Sequence, residues 1–311
     1  MLEFLDIFMK KLTLMLIPLV FAPNAIAESD KSNLMLEGSL GILNGSSTEL
    51  VYDSDGSKLS QLDWDINNVP IIQLGATWNL NDNWTVKGSF WSILTDDGNA
   101  NMKDRDWLDP YQSTPTDISV SPDTKLREAY EFDLNVTYWL ISQQSYKLGV
   151  VSGYQYNTFK WDGIGGSFSY DNGADIGVFP DTVGIDYEQE FSALYLGLAG
   201  EYIFQQSEIG MLLKWSPWVN AKDVDNHNMR DLTFYEKGNE SSDYLSLSLN
   251  YGYNFTSQVK LYVEYVYTKY FETKADTTIV ENSTGDSYFI PNGAGLDNEN
   301  STISVGVKYT F

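Results

Sequence analysis

Hydrophobic and polar residues alternate one by one through several segments of this chain. In the last segment the apolar side chains share one face and the small polar ones the other, with Ile303, Val305, Val307, Tyr309 and Phe311 opposed to Ser304, Gly306, Lys308 and Thr310. The same period of two runs through residues 244–254 and 259–268. The polar face is mostly Ser, Gly, Asn and Tyr, whereas the polar face of a soluble sandwich meets bulk water and usually carries many charges. The pattern therefore predicts membrane strands around a narrow polar lumen.

The connections between these segments alternate between short and long. Short polar links lie at 81–83, 142–145, 205–207 and 256–258, and longer acidic or Gly-rich links lie near 44–58, 96–123, 160–183, 218–231 and 273–298. These links join ten strands. The predicted fold is all-β, a ten-stranded antiparallel transmembrane β-barrel with long extracellular loops, and the short turns belong at the periplasmic end together with both termini.

The N-terminus has the features of a secretion signal. Lys10 and Lys11 precede an apolar run over 12–23, which is too short to span a bilayer, and Ala25-Ile26-Ala27 fits a small-residue cleavage site. Residues 1–27 are predicted to be removed, so the mature chain starts at Glu28, and Met9 is an alternative start to Met1. The remaining 28–311 is predicted to be a single barrel without a second domain.

Composition narrows the chemistry further. The 311 residues include no Cys and one His, and 43 acidic against 19 basic side chains give a formal net charge of −24. These values exclude a disulfide scaffold, a Cys-ligated metal and a basic groove that follows nucleic-acid phosphates. Aromatic residues make up 14% of the chain, which fits the aromatic girdles of a membrane barrel.

Two clusters of ionisable residues lie in or beside the long links. Asp104 and Asp106 face the same side of an extended segment, with Arg105 on the other. Asp223, Asp225 and His227, which is the only imidazole of the chain, share a face in the same way. Two strands could then present an aspartate pair and an Asp/His pair across a cleft.

This arrangement suits the activation of a water molecule. A carboxylate beside His227 fixes its tautomer, so the imidazole can accept a proton from water, while two adjacent aspartates tend to share a proton. A water held between the pairs could attack a peptide carbonyl without a nucleophilic side chain. The alternative is that both clusters are solvated loop acids, some of them bridging divalent ions, beside an exposed histidine.

Several motifs resemble the omptin family of bacterial outer-membrane proteases, in the same order over essentially the whole mature chain. They are residues 60–64, 101–109, 130–135 and the stretch from Asn292 to Phe311. The resemblance implies a ten-stranded barrel in the outer membrane with its active site facing outward. It also implies that Asp104 and Asp106 form a catalytic aspartate pair and that Asp225 and His227 form a dyad that activates water, without a metal or cofactor.

The resemblance also implies a substrate preference. Glu49 and Asp223 match the acidic residues of the pocket for the side chain before the scissile bond, which would bind Arg or Lys through charge-assisted hydrogen bonds. Asp117 matches an acid that favours a basic residue after the bond. The expected partners are cationic peptides or proteins and outer-membrane lipid, and the negative charge of the chain would steer such substrates toward the opening.

One departure from the family concerns lipopolysaccharide. Tyr154 is kept, but Tyr156 and Thr158 stand at the expected Glu and Arg positions, and Glu190 stands where the next strand should carry Arg. A carboxylate repels phosphate, so binding of lipid A phosphates by the family's route is not expected. Lipopolysaccharide dependence is therefore left open: it is absent, different, or supplied by other residues.

Three other functions compete with the protease. A non-enzymatic adhesin or invasin would use the long loops to bind host surfaces. A small porin is disfavoured because about ten strands leave an interior largely filled by side chains. A Ser/His phospholipase is disfavoured because His227 has no neighbouring serine in a comparable motif.

Overall fold

The computed structural model describes residues 33–239 and 242–311, so the predicted signal peptide over 1–27 lies outside the described residues. Within them, no helix is long and apolar enough to cross a membrane. The secondary structure is almost entirely extended. The strands are β1 Leu34–Tyr52, β2 Lys58–Asn79, β3 Trp84–Ile93, β4 Gly98–Asp106, β5 Asp117–Ser121, β6 Lys125–Ser142, β7 Tyr146–Ile164, β8 Ser167–Tyr170, β9 Asp175–Val178, β10 Val183–Phe204, β11 Ser207–Ser216, β12 Val219–His227, β13 Leu232–Gly238, β14 Tyr244–Asn254, β15 Val259–Glu281 and β16 Ser287–Thr310.

The strands form a closed antiparallel ring. β1 pairs with β2 on one side and with β16 on the other, from Met35 opposite Thr310 to Val51 opposite Ala294. Around the ring, β3 continues into β4, β11 into β12, and β13 into β14, so the described residues give the ten barrel strands that the alternation predicts. The short strands β5, β8 and β9 extend from the edge of β4.

The two faces of the barrel reverse the pattern of a soluble protein. On β16, Ile303 and Val305 are 53% and 63% exposed, whereas Thr302 and Ser304 are buried. The apolar side chains point outward because lipid hydrocarbon surrounds the barrel, and the small polar ones fit the narrow lumen. Exposed aromatic residues such as Trp78, Tyr202 and Phe255 lie at the short-turn end, as expected for an interfacial girdle.

The strands at the opposite, long-hairpin end extend further than predicted. The first hairpin turns at 53–57 instead of the expected 44–58, and the last turns at 282–286 instead of 273–298. Most of the expected link at 218–231 is the strand β12, and only residues 228–231 form the turn. Above the membrane the outward face no longer needs to be apolar, so hydrophobic alternation stops while backbone pairing continues.

Side chains fill the middle of the lumen. Lys214 Nζ lies 2.8 Å from Asp133 Oδ2 and also donates to Gln155 Oε1, which accepts from the Tyr244 hydroxyl at 2.5 Å. A buried ion pair is stable only when its remaining polar atoms are also satisfied, as they are here. This layer separates the interior of the short-turn end from the cleft at the long-hairpin end.

Candidate active site

The two predicted pairs of catalytic residues lie on opposite walls of the barrel. Asp104 and Asp106 are on β4, and Asp225 and His227 are on β12. β4 belongs to the third barrel strand and β12 to the seventh, four places apart in a ring of ten, so their inward faces look toward each other. The two-residue spacing places both members of each pair on the inward face.

All four side chains line one cavity of about 580 Å³ at the long-hairpin end. Glu49 of β1 and Asp117 of β5 also line it. Asp223 is buried. Its carboxylate lies close to that of Glu49 but does not line the cavity. Six of the seven predicted site residues therefore meet at one cleft, and the seventh lies behind its wall.

His227 is held from several directions. Its Nε2 lies 2.6 Å from Asp225 Oδ2, and its ring packs at 5.0 Å from the ring of Phe234 on the neighbouring β13. Asp186 of β10 accepts hydrogen bonds from Asn226 at 2.7 Å and from Asn228 at 3.0 Å, on either side of the histidine. These contacts fix both the strand end and the direction of the imidazole.

Asp104 and Asp106 lie close together, in surroundings that favour one proton held between their two carboxyl groups. Burial and the nearby Asp106 carboxylate raise the pKa of Asp104 to about 7, although the Ser60 hydroxyl donates to its Oδ1 at 3.1 Å. Burial also raises the pKa of Asp106, with repulsion from Asp117 adding to the effect. Near neutral pH the pair can therefore hold a proton between two carboxyl groups.

A second acidic group lies deeper. One carboxylate oxygen each of Glu49, Asp223 and Glu236 lies within 4.8 Å of the others, and all three side chains are at most 3% exposed. Asp223 and Glu236 are direct cross-strand neighbours on β12 and β13, a pairing that like charges destabilise. Burial, followed by repulsion between the acids, raises the pKa of Glu49 and of Glu236 well above the usual range.

These acids are incompletely satisfied. Tyr187 donates to Asp223 Oδ2 at 2.8 Å and Thr277 to Glu236 Oε1 at 3.0 Å. Among the described residues, no hydroxyl or N–H group donates to Glu49 Oε2, Asp223 Oδ1 or Glu236 Oε2, and only a proton held by one of the two carboxyl groups can join Asp223 to Glu236. Buried carboxylate oxygens without donors attract a cation, and a guanidinium or ammonium group would supply both charge and hydrogen bonds.

An aromatic floor explains why these carboxyl groups are dry. Trp64 stacks on Tyr187 with ring centroids 5.1 Å apart, Trp161 stacks on Tyr187 at 5.8 Å, and the two tryptophan rings are 6.0 Å apart, so the three rings form one cluster. Leu62 and Met102 extend this buried apolar layer under the cleft. Removing water from charged groups raises carboxyl pKa values and strengthens every electrostatic contact with a ligand.

Asp117 lies at the cleft entrance in a different environment. Its Oδ1 accepts a hydrogen bond of 2.6 Å from the backbone N–H of Asp171, in the turn between β8 and β9. It stands opposite Asp106 in the pairing of β4 with β5. One oxygen of Asp117 therefore anchors the β8–β9 hairpin, and the carboxylate also borders the cleft.

Three site residues escaped the sequence reasoning: Ser60, Arg230 and Glu236. Two of them become visible through strand register, because Ser60 lies opposite Asp106 and Glu236 opposite Asp223. Arg230 lies in the turn after His227 and lines the cleft. A correctly placed turn at 228–231 would have put Glu236 beside Asp223 from sequence alone.

On the outer face, the Glu190 carboxylate forms an ion pair with a lysine of the same chain. Lys222 Nζ lies 2.7 Å from its Oε1, and the Tyr156 hydroxyl donates to its Oε2 at 2.5 Å. Thr158, at the position where the family motif would have Arg, is buried. The departure from the lipid motif is therefore accompanied by an internal ion pair.

The model of the Omptin family matches residues 30–311. The chain belongs to the omptin family. It is 43% identical to the plasminogen activator of Yersinia pestis over 276 residues, 88% of each chain, and 37% identical to the outer membrane protease OmpP of Escherichia coli over 307 residues, 94% of this chain and 96% of OmpP.

The fold agrees with this omptin assignment. The crystal structure of the outer membrane protease OmpT from Escherichia coli matches with a TM-score of 0.87 and 35% identity, over 93% of this chain and all of that one. The omptin described here is accordingly an outer-membrane protein with a protease function. The names of its relatives favour an enzyme over the non-enzymatic adhesin considered from the sequence.

Proposed function

We propose that this omptin is an endopeptidase that hydrolyses peptide bonds next to Arg or Lys, using water activated by Asp and His side chains at the outward-facing mouth of the barrel. The observation that carries the proposal is one cavity lined by Asp104, Asp106, Asp225 and His227, with a buried acidic pocket at its edge. The first group supplies proton transfer and the second supplies a cation site.

The chemistry needs no covalent intermediate. The aspartate pair, with its one shared proton, orients a water molecule by both accepting and donating hydrogen bonds. His227, backed by Asp225, takes a proton as the water oxygen attacks the peptide carbonyl, and returns it to the leaving amine. No acyl-enzyme forms, so inhibitors that acylate a serine are not expected to act.

The acidic pocket accounts for the preferred substrate. A guanidinium or ammonium group entering beside Glu49 and Asp223 would satisfy their free oxygens and relieve their mutual repulsion. Asp117, at the other side of the aspartate pair, favours a basic residue after the scissile bond. Cationic peptides and proteins are therefore the proposed substrates.

In this proposal the enzyme does not bind lipopolysaccharide through the motif that the family uses. The Glu190 carboxylate is held by Lys222 and Tyr156, so lipid A phosphates do not bind through this position. Turnover measured with and without lipopolysaccharide separates an independent enzyme from one that uses another lipid site.

The test is cleavage of a fluorogenic peptide with two adjacent basic residues by refolded protein. The variants Asp104→Ala and His227→Ala are expected to lose at least about 10³-fold in kcat, since each removes part of the proton-transfer unit. Asp123→Ala, which removes an exposed acid at the same end, is the matched control and keeps its rate.

Heat-modifiable migration in electrophoresis shows whether each variant has formed its barrel. If Asp104→Ala and His227→Ala fold and still cleave at the rate of the control, the catalytic assignment is rejected. If the unaltered protein folds but cleaves no basic peptide with or without lipopolysaccharide, the proposed specificity is rejected.

A further inference from the structure

Arg230 has a position in the cleft that neither the sequence nor the water mechanism assigns. It lies in the turn between β12 and β13, where its backbone N–H donates to the His227 carbonyl at 3.0 Å. The Asn228 N–H donates to the Gly184 carbonyl at 2.9 Å and ties this turn to β10. The turn therefore directs the Arg230 side chain back over the imidazole.

The contact between these side chains assigns the histidine tautomer. Arg230 Nε donates to His227 Nδ1 at 3.1 Å, and Arg230 Nη2 contacts the same nitrogen. A guanidinium has only donors, so Nδ1 carries a lone pair, and the hydrogen lies on Nε2, which faces Asp225. The guanidinium thus stabilises the neutral imidazole that a general base requires.

The same guanidinium faces the aspartate pair. Its positive charge lowers the pKa of Asp104 and of Asp106, against the larger effect of burial. It lines the cavity together with both aspartates and His227. A cation in this position is available to a negative charge that develops on a carbonyl group attacked within the cleft.

Resting on the proposed function, we infer that Arg230 is a further catalytic residue, whose guanidinium moves from His227 Nδ1 to the oxyanion of the tetrahedral intermediate. As the water oxygen bonds to the carbonyl carbon, the C=O π pair moves to oxygen, and the new oxyanion accepts N–H bonds from Arg230. The freed Nδ1 lone pair takes the proton that the water loses. When the C–N bond breaks, that proton passes to the leaving nitrogen.

This exchange couples the two events. Nδ1 cannot accept a proton while it accepts from Arg230, and the oxyanion attracts the guanidinium more strongly than a neutral imidazole does. General base and oxyanion donor therefore become available at the same moment. Removing one preorganised oxyanion donor typically lowers kcat by about 10²–10³.

The test compares Arg230→Gln, Arg230→Lys and Arg127→Gln on the same fluorogenic peptide. Arg127, an exposed residue that pairs with Asp162, is the matched control. For Arg230→Gln we expect kcat to fall by about 10²–10³, with KM changed less than about threefold. Arg230→Lys keeps the charge without the two-nitrogen fork and is expected to recover part of the rate.

The pH profile supplies a readout that a structural role would not change. The titratable groups that face His227 and Arg230 are Asp225 on β12, Asp104 and Asp106 on β4, Glu49 on β1, Asp117 on β5 and Tyr170 on β8. Arg230→Gln removes the positive charge that lowers the pKa of Asp104 and of Asp106, so these two carboxyl groups become protonated at higher pH. The acidic limb of kcat/KM is therefore expected to move to higher pH, and to stay in place in Arg230→Lys.

Three outcomes overturn the inference: an unchanged kcat and acidic limb in the folded Arg230→Gln variant, a rise in KM alone, or an equal loss in Arg127→Gln. In each case Asp104→Ala and His227→Ala show independently whether the proposed function stands. If the unaltered protein cleaves and those two variants do not, only the role of Arg230 has failed.

Discussion

At the scale of single residues, the site combines carboxyl groups that differ in what surrounds them. Asp104 is partly satisfied by Ser60 and titrates near neutrality, with a pKa of about 7. Glu49 and Glu236 lie in a drier group where burial and mutual repulsion favour the protonated form. The first environment suits proton sharing during a reaction, and the second suits binding of a cation that replaces a proton.

The pocket acids should therefore make substrate binding depend on pH. A carboxyl group with a raised pKa is protonated, and loses its attraction for a cation, as the pH falls through that pKa. In Glu49→Gln the preference for Arg or Lys should fall by about 10–100-fold, since a charge-assisted hydrogen bond contributes about 1.5–3 kcal/mol.

In Glu236→Gln a repulsive neighbour is removed, so the rise in KM at acidic pH should shift to lower pH.

KM measured against pH for Arg-containing and neutral peptides checks both expectations. Glu299→Gln, at an exposed acid, is the control and should behave as the unaltered protein. An unchanged Arg preference in Glu49→Gln would remove that residue from the pocket. A shift of the Glu236→Gln profile to higher pH would mean that Glu236 does not repel the other acids.

At the scale of elements, short strands outside the barrel wall complete the cleft. β5 pairs with β4 along the segment that carries Asp104 and Asp106, and β8 then pairs with β5. Gly166, just before β8, has a φ of +107°, and a Cβ atom there would lie 2.0 Å from the Val120 carbonyl oxygen. Only glycine allows β8 to lie this close to β5.

Gly166→Ala should therefore detach the β8–β9 hairpin while the barrel still forms. Because Asp117 accepts the Asp171 N–H in that hairpin, the preference for a basic residue after the scissile bond should weaken several-fold. Limited proteolysis should show new cleavage within 165–180.

Gly173→Ala is the matched control for this change. Gly173 also has a positive φ, of +88°, but the nearest atom to an added Cβ is 3.8 Å away. Its backbone strain of about 1–2 kcal/mol comes without a clash. Equal proteolysis of both variants would show that strain alone, and not the contact with Val120, loosens the hairpin.

At the scale of the whole molecule, a closed barrel carries a strong negative charge. Removal of residues 1–27 would take away two acids and two lysines, so the predicted mature chain keeps the formal charge of −24. Such a field attracts cationic substrates over a distance set by salt, about 30 Å at 0.01 M and about 8 Å at 0.15 M. The acidic cleft at one end concentrates that attraction at the proposed catalytic residues.

Raising the ionic strength from 0.01 to 0.3 M should lower kcat/KM for a highly cationic peptide by about tenfold or more. A peptide with the same scissile bond but zero net charge is the control and should change much less, because only its basic side chain at the pocket is attracted. Parallel losses for both peptides would place the salt effect in the pocket or the fold rather than in steering.

The sequence by itself determined the barrel and predicted which side chains are catalytic. Alternation of Ile303, Val305 and Val307 with small polar residues predicted membrane strands, because hydrocarbon outside and a narrow lumen inside leave a period of two in the chain, and the succession of short and long links predicted ten of them. The resemblance of local motifs pointed to Asp104, Asp106, Asp225 and His227. The extent of the strands above the membrane was predicted too short, because no hydrophobic signal marks paired strands in water.

Only the tertiary structure decided which groups meet. Glu49 of β1 joins the hairpin neighbours Asp223 and Glu236 because the barrel brings their inward faces together, and no local pattern in the chain encodes that distance. Arg230 reaches His227 because one turn reverses the chain. Burial then raises the carboxyl pKa values of the cleft, since desolvation depends on the packing of residues distant in sequence.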